Sequence, residues 1–270
     1  MHKNKILDCV TFFDNNFMFE IRYNILSDFV DYFVICESKY DHKGNIKKKN
    51  FILKDNYDPK KIKYVFLEEK FPKNTDRWKN QAIQREHLLK ATSFADDEDY
   101  IFFSDPDEIV RPDLLKNFKL NKKYGIFMQD FFNYKFNLFN PHESPWEGTR
   151  VAQKKNINSI NFLRQKIKSK NLNYSFFRFD KEKSIELFHN GGWHFNNILT
   201  PGEISLKLKT FAHSEFSKEE FYNKEVIKKK INDKIDLFDR GHQYRVINFD
   251  QKFPKYLLEN KKKFEKFLLT

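Results

Sequence analysis

The sequence predicts a three-layer α/β protein built on a mainly parallel sheet, and three observations carry the prediction. Short apolar runs alternate with stretches of helical periodicity, the pattern of strand–helix–strand units. One run, Tyr100-Ile101-Phe102-Phe103, is apolar at every position, as in a strand covered on both faces. It breaks abruptly into Ser104-Asp105-Pro106-Asp107-Glu108, which sets closely spaced acids at its carboxyl end. Open α/β sheets bind their ligands at that edge.

Taken in order, residues 5–13 read as a first strand and 17–29 as an amphipathic helix with Phe17, Ile21 and Ile25 on its inner stripe. Residues 32–36 return as a strand, followed by a polar loop, 38–49, that is placed after a strand end to meet a ligand. A strand at 63–67, a helix over 77–95 and the strand at 100–103 repeat the unit. Arg111-Pro112-Asp113 has the residues of a helix start. Beyond it, 125–133 reads as a strand, 156–183 is basic and weakly periodic and suits hairpins or a loop, and 218–230 and 253–267 read as helices. No internal repeat is visible. At 270 residues the simplest organisation is a single domain, with 1–120 as a nucleotide-binding half and 121–270 as the half that confers specificity.

Composition narrows the function classes. With 40% hydrophobic and 17% aromatic residues the chain fills a core and is not disordered. A formal charge of +12 favours anionic partners, of which nucleic acid, acidic lipid and a nucleotide diphosphate all qualify. The lysine runs Lys47-Lys48-Lys49, Lys228-Lys229-Lys230 and Lys261-Lys262-Lys263 are short and dispersed, which argues for solvated faces and against a nucleic-acid stripe. Two cysteines, Cys9 and Cys36, exclude a disulfide framework and a four-cysteine zinc site. No apolar run approaches the roughly 18 residues of a membrane span, and Asp8 interrupts the only candidate leader. The expected location is cytoplasmic, with peripheral contact at the inner membrane face compatible with the charge.

Three clusters carry chemistry. Asp105 and Asp107, one residue apart in a chain turned by Pro106, can share a hard divalent cation that in turn holds phosphate oxygens. The alternative is an ordinary turn after a strand. In Asn190-Gly191-Gly192-Trp193-His194, paired glycines permit close backbone approach and lead into a ring that stacks on sugar and an imidazole that binds metal or phosphate. The alternative there is a glycine turn entering a strand with a packed Trp. Downstream, His213 can complete a metal shell and Glu215 can act as a base, or both belong to a solvated helix end.

These segments together resemble the glycosyltransferase family typified by the enzyme that adds bisecting β-1,4-linked N-acetylglucosamine to N-glycans, a family with bacterial and viral members. The resemblance runs from Phe13 and Phe19-Glu20-Ile21-Arg22 through Val30-Asp31-Tyr32-Phe33-Val34-Ile35-Cys36-Glu37-Ser38, His42-Lys43-Gly44, Trp78 and Arg85. It continues through Ser104-Asp105-Pro106-Asp107-Glu108-Ile109 and Arg111-Pro112 to Gly192-Trp193-His194-Phe195 and Ala212-His213-Ser214-Glu215. The chain departs from the family pattern at Asn15, Phe17 and Gln81, and lacks the membrane anchor of the animal enzymes.

The resemblance implies a GT-A-like, Rossmann-type fold, a UDP-sugar donor, most simply UDP-N-acetylglucosamine, inversion to a β-linkage, and manganese or magnesium at Asp105 and Asp107. On that reading His213 is a third metal contact, and Glu215, with Glu108 as second choice, deprotonates the acceptor hydroxyl. Arg22, Glu37 and Arg85 organise the nucleotide side, Asp105 also reaches the ribose, and Trp193 and His194 face the sugar. A structural role is the alternative for each, with Glu37 and Arg85 as a buried ion pair. The expected acceptor is a glycan or lipid-linked glycan. The rival functions are a metal-dependent nucleotidyl or phosphoryl transferase, for which no phosphate-cradling glycine loop is present, and a non-enzymatic nucleic-acid-binding protein.

Overall fold

Alternating apolar runs and helices in the first hundred residues produce four adjacent parallel strands. The structure, a computed structural model, describes residues 4–210 and 219–269. The strands are β1 (Ile6–Phe12), β2 (Tyr32–Ser38), β3 (Ile62–Leu67) and β4 (Tyr100–Ser104), with the helices α1 (Asn16–Leu26) and α2 (Arg77–Lys90) between them. Their order across the sheet is β3-β2-β1-β4, all parallel. The chain therefore leaves β1 for β2 on one side and returns to β4 on the other. That reversal creates a crevice at the carboxyl ends of β1 and β4, the switch point at which such sheets bind ligands.

Both faces of this sheet are covered, which explains the continuous apolar runs. On one face Phe33 of β2 meets Phe19 and Tyr23 of α1 at ring separations of 5.8 and 5.0 Å. On the other, Cys9, Val34, Cys36, Ile101 and Phe103 pack with Leu88 of α2 and with Ile160 and Leu163 of a short later helix, α3 (Ile160–Lys166). The three-layer arrangement follows from that alternation of side chains. Cys9 and Cys36 are buried free thiols, and burial pushes Cys36 up to about 12.

The chain divides into two compact units, residues 1–128 with 147–192, and residues 129–146 with 193–270. Residues 147–192, expected in the specificity half, pack with the first unit. There the sheet is extended beyond β4 by antiparallel β8 (Trp146–Gln153), then by the first part of β6 (Tyr124–Asn133) and by β9 (Ile185–Phe188), which runs parallel to β6. The short strand β5 (Glu108–Val110) follows the acidic turn, and β7 (Leu138–Phe139) follows β6. The second unit contains the end of β6, β7, β10 (Gly192–Asn196) and β11 (Arg245–Val246), with helices α4 (Pro201–Thr210), α5 (Glu219–Tyr222), α6 (Lys224–Asn232), α7 (Lys255–Glu259) and α8 (Lys261–Phe264). Its core joins Tyr134, Leu138, Ile204, Ile227, Ile231 and Tyr244.

Element ends differ from expectation where polar side chains intercept the backbone. The helix expected to reach residue 95 stops at Lys90, because Thr92 Oγ1 donates to the Leu89 carbonyl and tight turns follow. The helix expected over 218–230 is two helices, since the Asn223 side chain accepts from the Glu225 and Val226 amides and starts α6 afresh. That over 253–267 breaks at Asn260, whose amide group donates to the Tyr256 carbonyl. Arg111-Pro112-Asp113 opens a single 3-10 turn, Pro112–Leu115.

Candidate active site

Asp105, Pro106 and Asp107 form the turn between β4 and β5, at the carboxyl end of the switch-point strand. Asp105 and Asp107 are both half-buried there. The acids are not left to repel one another. Arg164 of α3 reaches the turn and donates from Nη2 to Asp105 Oδ2 at 2.6 Å, and forks onto Glu108 at 2.6 and 3.1 Å. Glu108 Oε2 also accepts the Asp105 amide at 3.1 Å, closing the turn on itself. Burial works against the charge of Arg164, but Asp105 and Glu108, with Asp107 nearby, outweigh it and raise its pKa. Arg164 is thus a permanent cation bonded to two acids of one turn, Asp105 and Glu108, with the charge of Asp107 nearby.

Arg85 of α2 approaches Asp105 from the other side, with Nη2 at 3.8 Å from Oδ1, and donates to Asn161 Oδ1 at 3.1 Å. Burial lowers its pKa, with Asp105 opposing. Arg150 of β8 lies fully buried beneath, bonded to the carbonyls of Ile167, Glu147 and Gly148 and to the Glu147 carboxylate. Burial, with repulsion from Arg164, pulls it down to about 10.

The face of α2 that meets the strand ends is polar although buried. Gln84 Nε2 donates to the carbonyls of Cys36 and Phe12 at 2.8 and 3.3 Å, bridging the ends of β2 and β1. Its oxygen is then the acceptor available to His42, 2.9 Å from Nε2, which fixes the His42 proton on Nε2. Asn80 holds the same loop by donating to the His42 carbonyl at 3.0 Å. Burial lowers the His42 pKa below the ordinary 6.5. Because the unfolded chain then binds the proton more readily, His42 stabilises the fold fully above pH 6.5 and less as pH falls through that value. Thermal midpoints measured between about pH 5 and pH 8 are expected to fall on the acid side, and the His42→Gln variant to lose part of that slope.

Several expected site residues have structural employment. Arg22 is fully buried, forks onto Asp8 from Nε (2.5 Å) and Nη2, and donates to the Glu108 carbonyl at 2.6 Å, so it ties α1 to the backbone of the turn. Glu37 does not pair with Arg85. It is buried and accepts from Lys47 Nζ, the Asn50 and Phe51 amides (2.7 and 3.0 Å) and Tyr64 Oη (2.8 Å), fastening the loop after β2. Glu108 is sealed and forked by Arg164, a geometry unsuited to a base that must reach an acceptor. In the second unit Trp193 is buried with Nε1 donating to the Lys252 carbonyl, and His194 lies among Phe131 and Trp146 at 4.2 and 5.2 Å. Both follow the packed-strand alternative and not a ring open to sugar. His213 and Glu215 lie outside the described residues.

Gly191 and Gly192 do make the close approach that their pairing suggests. Gly191 donates to the Met128 carbonyl at 2.7 Å and accepts from Arg111 at 3.0 Å, and a Cβ on Gly192 would sit 2.0 Å from the Ile109 carbonyl oxygen. The glycine pair therefore supports β5, directly after the acidic turn.

Arg164, Gln84 and Asn80 were not singled out in the sequence. The signal for the last two is their spacing of four, which puts two amides on the buried side of one helix. For Arg164 no local signal exists, since its acid partners lie 56 and 59 residues away.

Among the described residues no group of three His, Cys, Asp or Glu side chains is arranged around a metal position. The donor set still suits a hard cation. Asp105 Oδ1 is beyond hydrogen-bonding distance of Arg85, Asp107 is half-buried at the turn, and magnesium commonly takes only one or two carboxylates together with substrate phosphates and water.

An α/β sheet with an acidic turn at its switch point places those acids where open α/β sheets bind their ligands. The family model of glycosyltransferase family 17 matches residues 1–270, and the chain belongs to that family. It is accordingly a glycosyltransferase, which sets aside nucleotidyl transfer and a non-enzymatic role as its primary function. No curated protein matches it. Among solved structures, the inositol-1-phosphate CTP transferase from T. maritima is similar at a TM-score of 0.35 and 11% identity, over 87% of this chain and 99% of that one, a level that carries no argument.

Proposed function

We propose that the protein is an inverting, metal-dependent glycosyltransferase of GT-A type that moves a sugar, N-acetylglucosamine as the leading candidate, from a UDP donor to a glycan or lipid-linked glycan with β-linkage. The observation that carries this reading is the Asp105-Pro106-Asp107 turn at the switch between β1 and β4, in a chain belonging to a glycosyltransferase family over its whole length. Asp107 and Asp105 would hold manganese or magnesium, which supplies neutralising charge to the departing diphosphate. Arg85, buried with Nη2 3.8 Å from Asp105 Oδ1, adds a second positive charge beside the turn. Arg164 keeps the turn closed through Glu108, so the two aspartates present fixed oxygens.

The acceptor hydroxyl oxygen bonds to the anomeric carbon from the face opposite the diphosphate. The bond from that carbon to the phosphate oxygen breaks with its electron pair going to UDP, and the hydroxyl proton passes to a carboxylate. With Glu108 locked by Arg164, Glu215 remains the proposed base.

Calorimetry with UDP, GDP, CDP and UDP-N-acetylglucosamine, with and without manganese, tests the donor reading. Uridine selectivity of at least about tenfold is expected, strengthened by manganese. Equal affinity for all nucleotides would remove it.

A further inference from the structure

Residues 174–183, between a 3-10 turn at Ser169–Asn173 and β9, carry the most exposed large rings among the described residues. Phe176, Phe177 and Phe179 are 78%, 78% and 83% exposed. One such ring is ordinary on a protein surface, but three within four residues form an apolar tip. The tip is a built turn. Arg178 donates through its amide to the Ser175 carbonyl at 2.9 Å and forks onto Asp180 at 2.7 and 2.9 Å, while Lys183 Nζ donates to the Arg178 carbonyl at 2.8 Å. Arg178 and Lys181 lie over the Tyr174 ring at 5.4 and 5.7 Å. In the same stretch of chain, residues 170–183 hold Lys170, Arg178, Lys181 and Lys183 against Asp180 and Glu182. Both acids are already matched, Asp180 by Arg178 and Lys181, and Glu182 by Lys123 at 3.8 Å.

We propose that this turn docks the protein on an anionic phospholipid bilayer, with the three phenylalanine rings entering the boundary between headgroups and acyl chains and the surrounding lysines meeting lipid phosphates. Rings at a tip, Tyr at its base and a surplus of Lys around it match the three zones of a bilayer surface, apolar, interfacial and anionic. The surplus of cationic over acidic side chains in this stretch favours an anionic surface as the occupant. The inference goes beyond the transfer reaction and does not depend on which donor the enzyme uses.

The test is sedimentation of the full chain with vesicles of phosphatidylcholine alone or with phosphatidylglycerol added. Wild type is expected to partition at least about tenfold more strongly onto the anionic vesicles. The F176S/F177S/F179S variant is expected to lose about a hundredfold or more of that partition, with thermal midpoint and nucleotide binding unchanged because these rings lie in solvent. K170Q/K181Q should weaken binding several-fold, and added salt should mask that difference. Equal partition of the triple-serine variant and wild type, or no binding of wild type to either vesicle, would overturn the proposal. So would self-association that disappears in the variant while vesicle binding does not.

Discussion

Replacing Arg164 by Met is expected to destabilise the protein by about 3–5 kcal/mol, the largest effect of any side-chain truncation at the site, measured as loss of unfolding free energy in denaturant. The reason is the number of charges that one guanidinium serves. It is bonded to Glu108, which is fully buried, and to Asp105, and it also donates to the Gly148 carbonyl at 2.9 Å. Methionine fills much of the volume but removes the guanidinium that neutralises the buried Glu108 carboxylate. Glu108→Gln in the Arg164→Met background should recover a large part of the loss, because the orphaned charge is then gone. Lysine at 164 should recover little, since one ammonium cannot reproduce the fork onto Glu108 while also reaching Asp105. An Arg164→Met variant as stable as wild type would mean that these acids are compensated elsewhere.

Gly192→Ala is expected to cost more than about 3 kcal/mol, because backbone strain and overpacking add at one position. Gly192 has φ +135°, and its added Cβ would meet three backbone atoms, the Ile109 oxygen at 2.0 Å, the Arg111 nitrogen at 2.8 Å and the Val110 Cα at 2.9 Å. None of these is a flexible side chain that could swing aside. The strand displaced is β5, which begins with Glu108, so donor binding should weaken together with stability. Gly44 provides the contrast. At φ +88° with nothing near its Cβ position, Gly44→Ala carries the strain alone and should cost about 1 kcal/mol. Equal losses at the two glycines would show that the approach to Ile109 is not what Gly192 is for.

The parallel core was legible in the sequence because burial on both faces writes a near-continuous apolar run, unbroken over residues 100–103 of β4 and interrupted in β1 by Asp8 and Thr11. The acidic turn was legible for a related reason, since polarity returns abruptly where β4 leaves the core. Gly191-Gly192 was legible as a close approach, though not which backbone it approaches. What escaped was everything set by distant pairing. Glu37 and Arg85 are each the charge that the other would want, yet the loop after β2 supplies Lys47 to the first, and the β4 turn offers Asp105 to the second. Arg164 sits in a seven-residue helix inside a stretch whose periodicity is too short to announce it. Trp193 and His194 offered two readings, and burial in their own strand chose packing. No helix among the described residues is long and apolar enough to cross a membrane, in line with the absence of a long apolar run.

Asp105 and Asp107 are proposed to hold the donor's diphosphate through a divalent cation. The most direct test compares the manganese dependence of UDP binding in wild type and Asp107→Asn by calorimetry. Asp107 lies at the turn and not in the core, so the amide should leave the fold intact while removing a charge from the cation's ligand set. Manganese is expected to tighten UDP binding to wild type by at least about tenfold and to do little for the variant at unchanged thermal midpoint. The same manganese-dependent affinity in both proteins would contradict it, and would move the nucleotide away from the β4 turn.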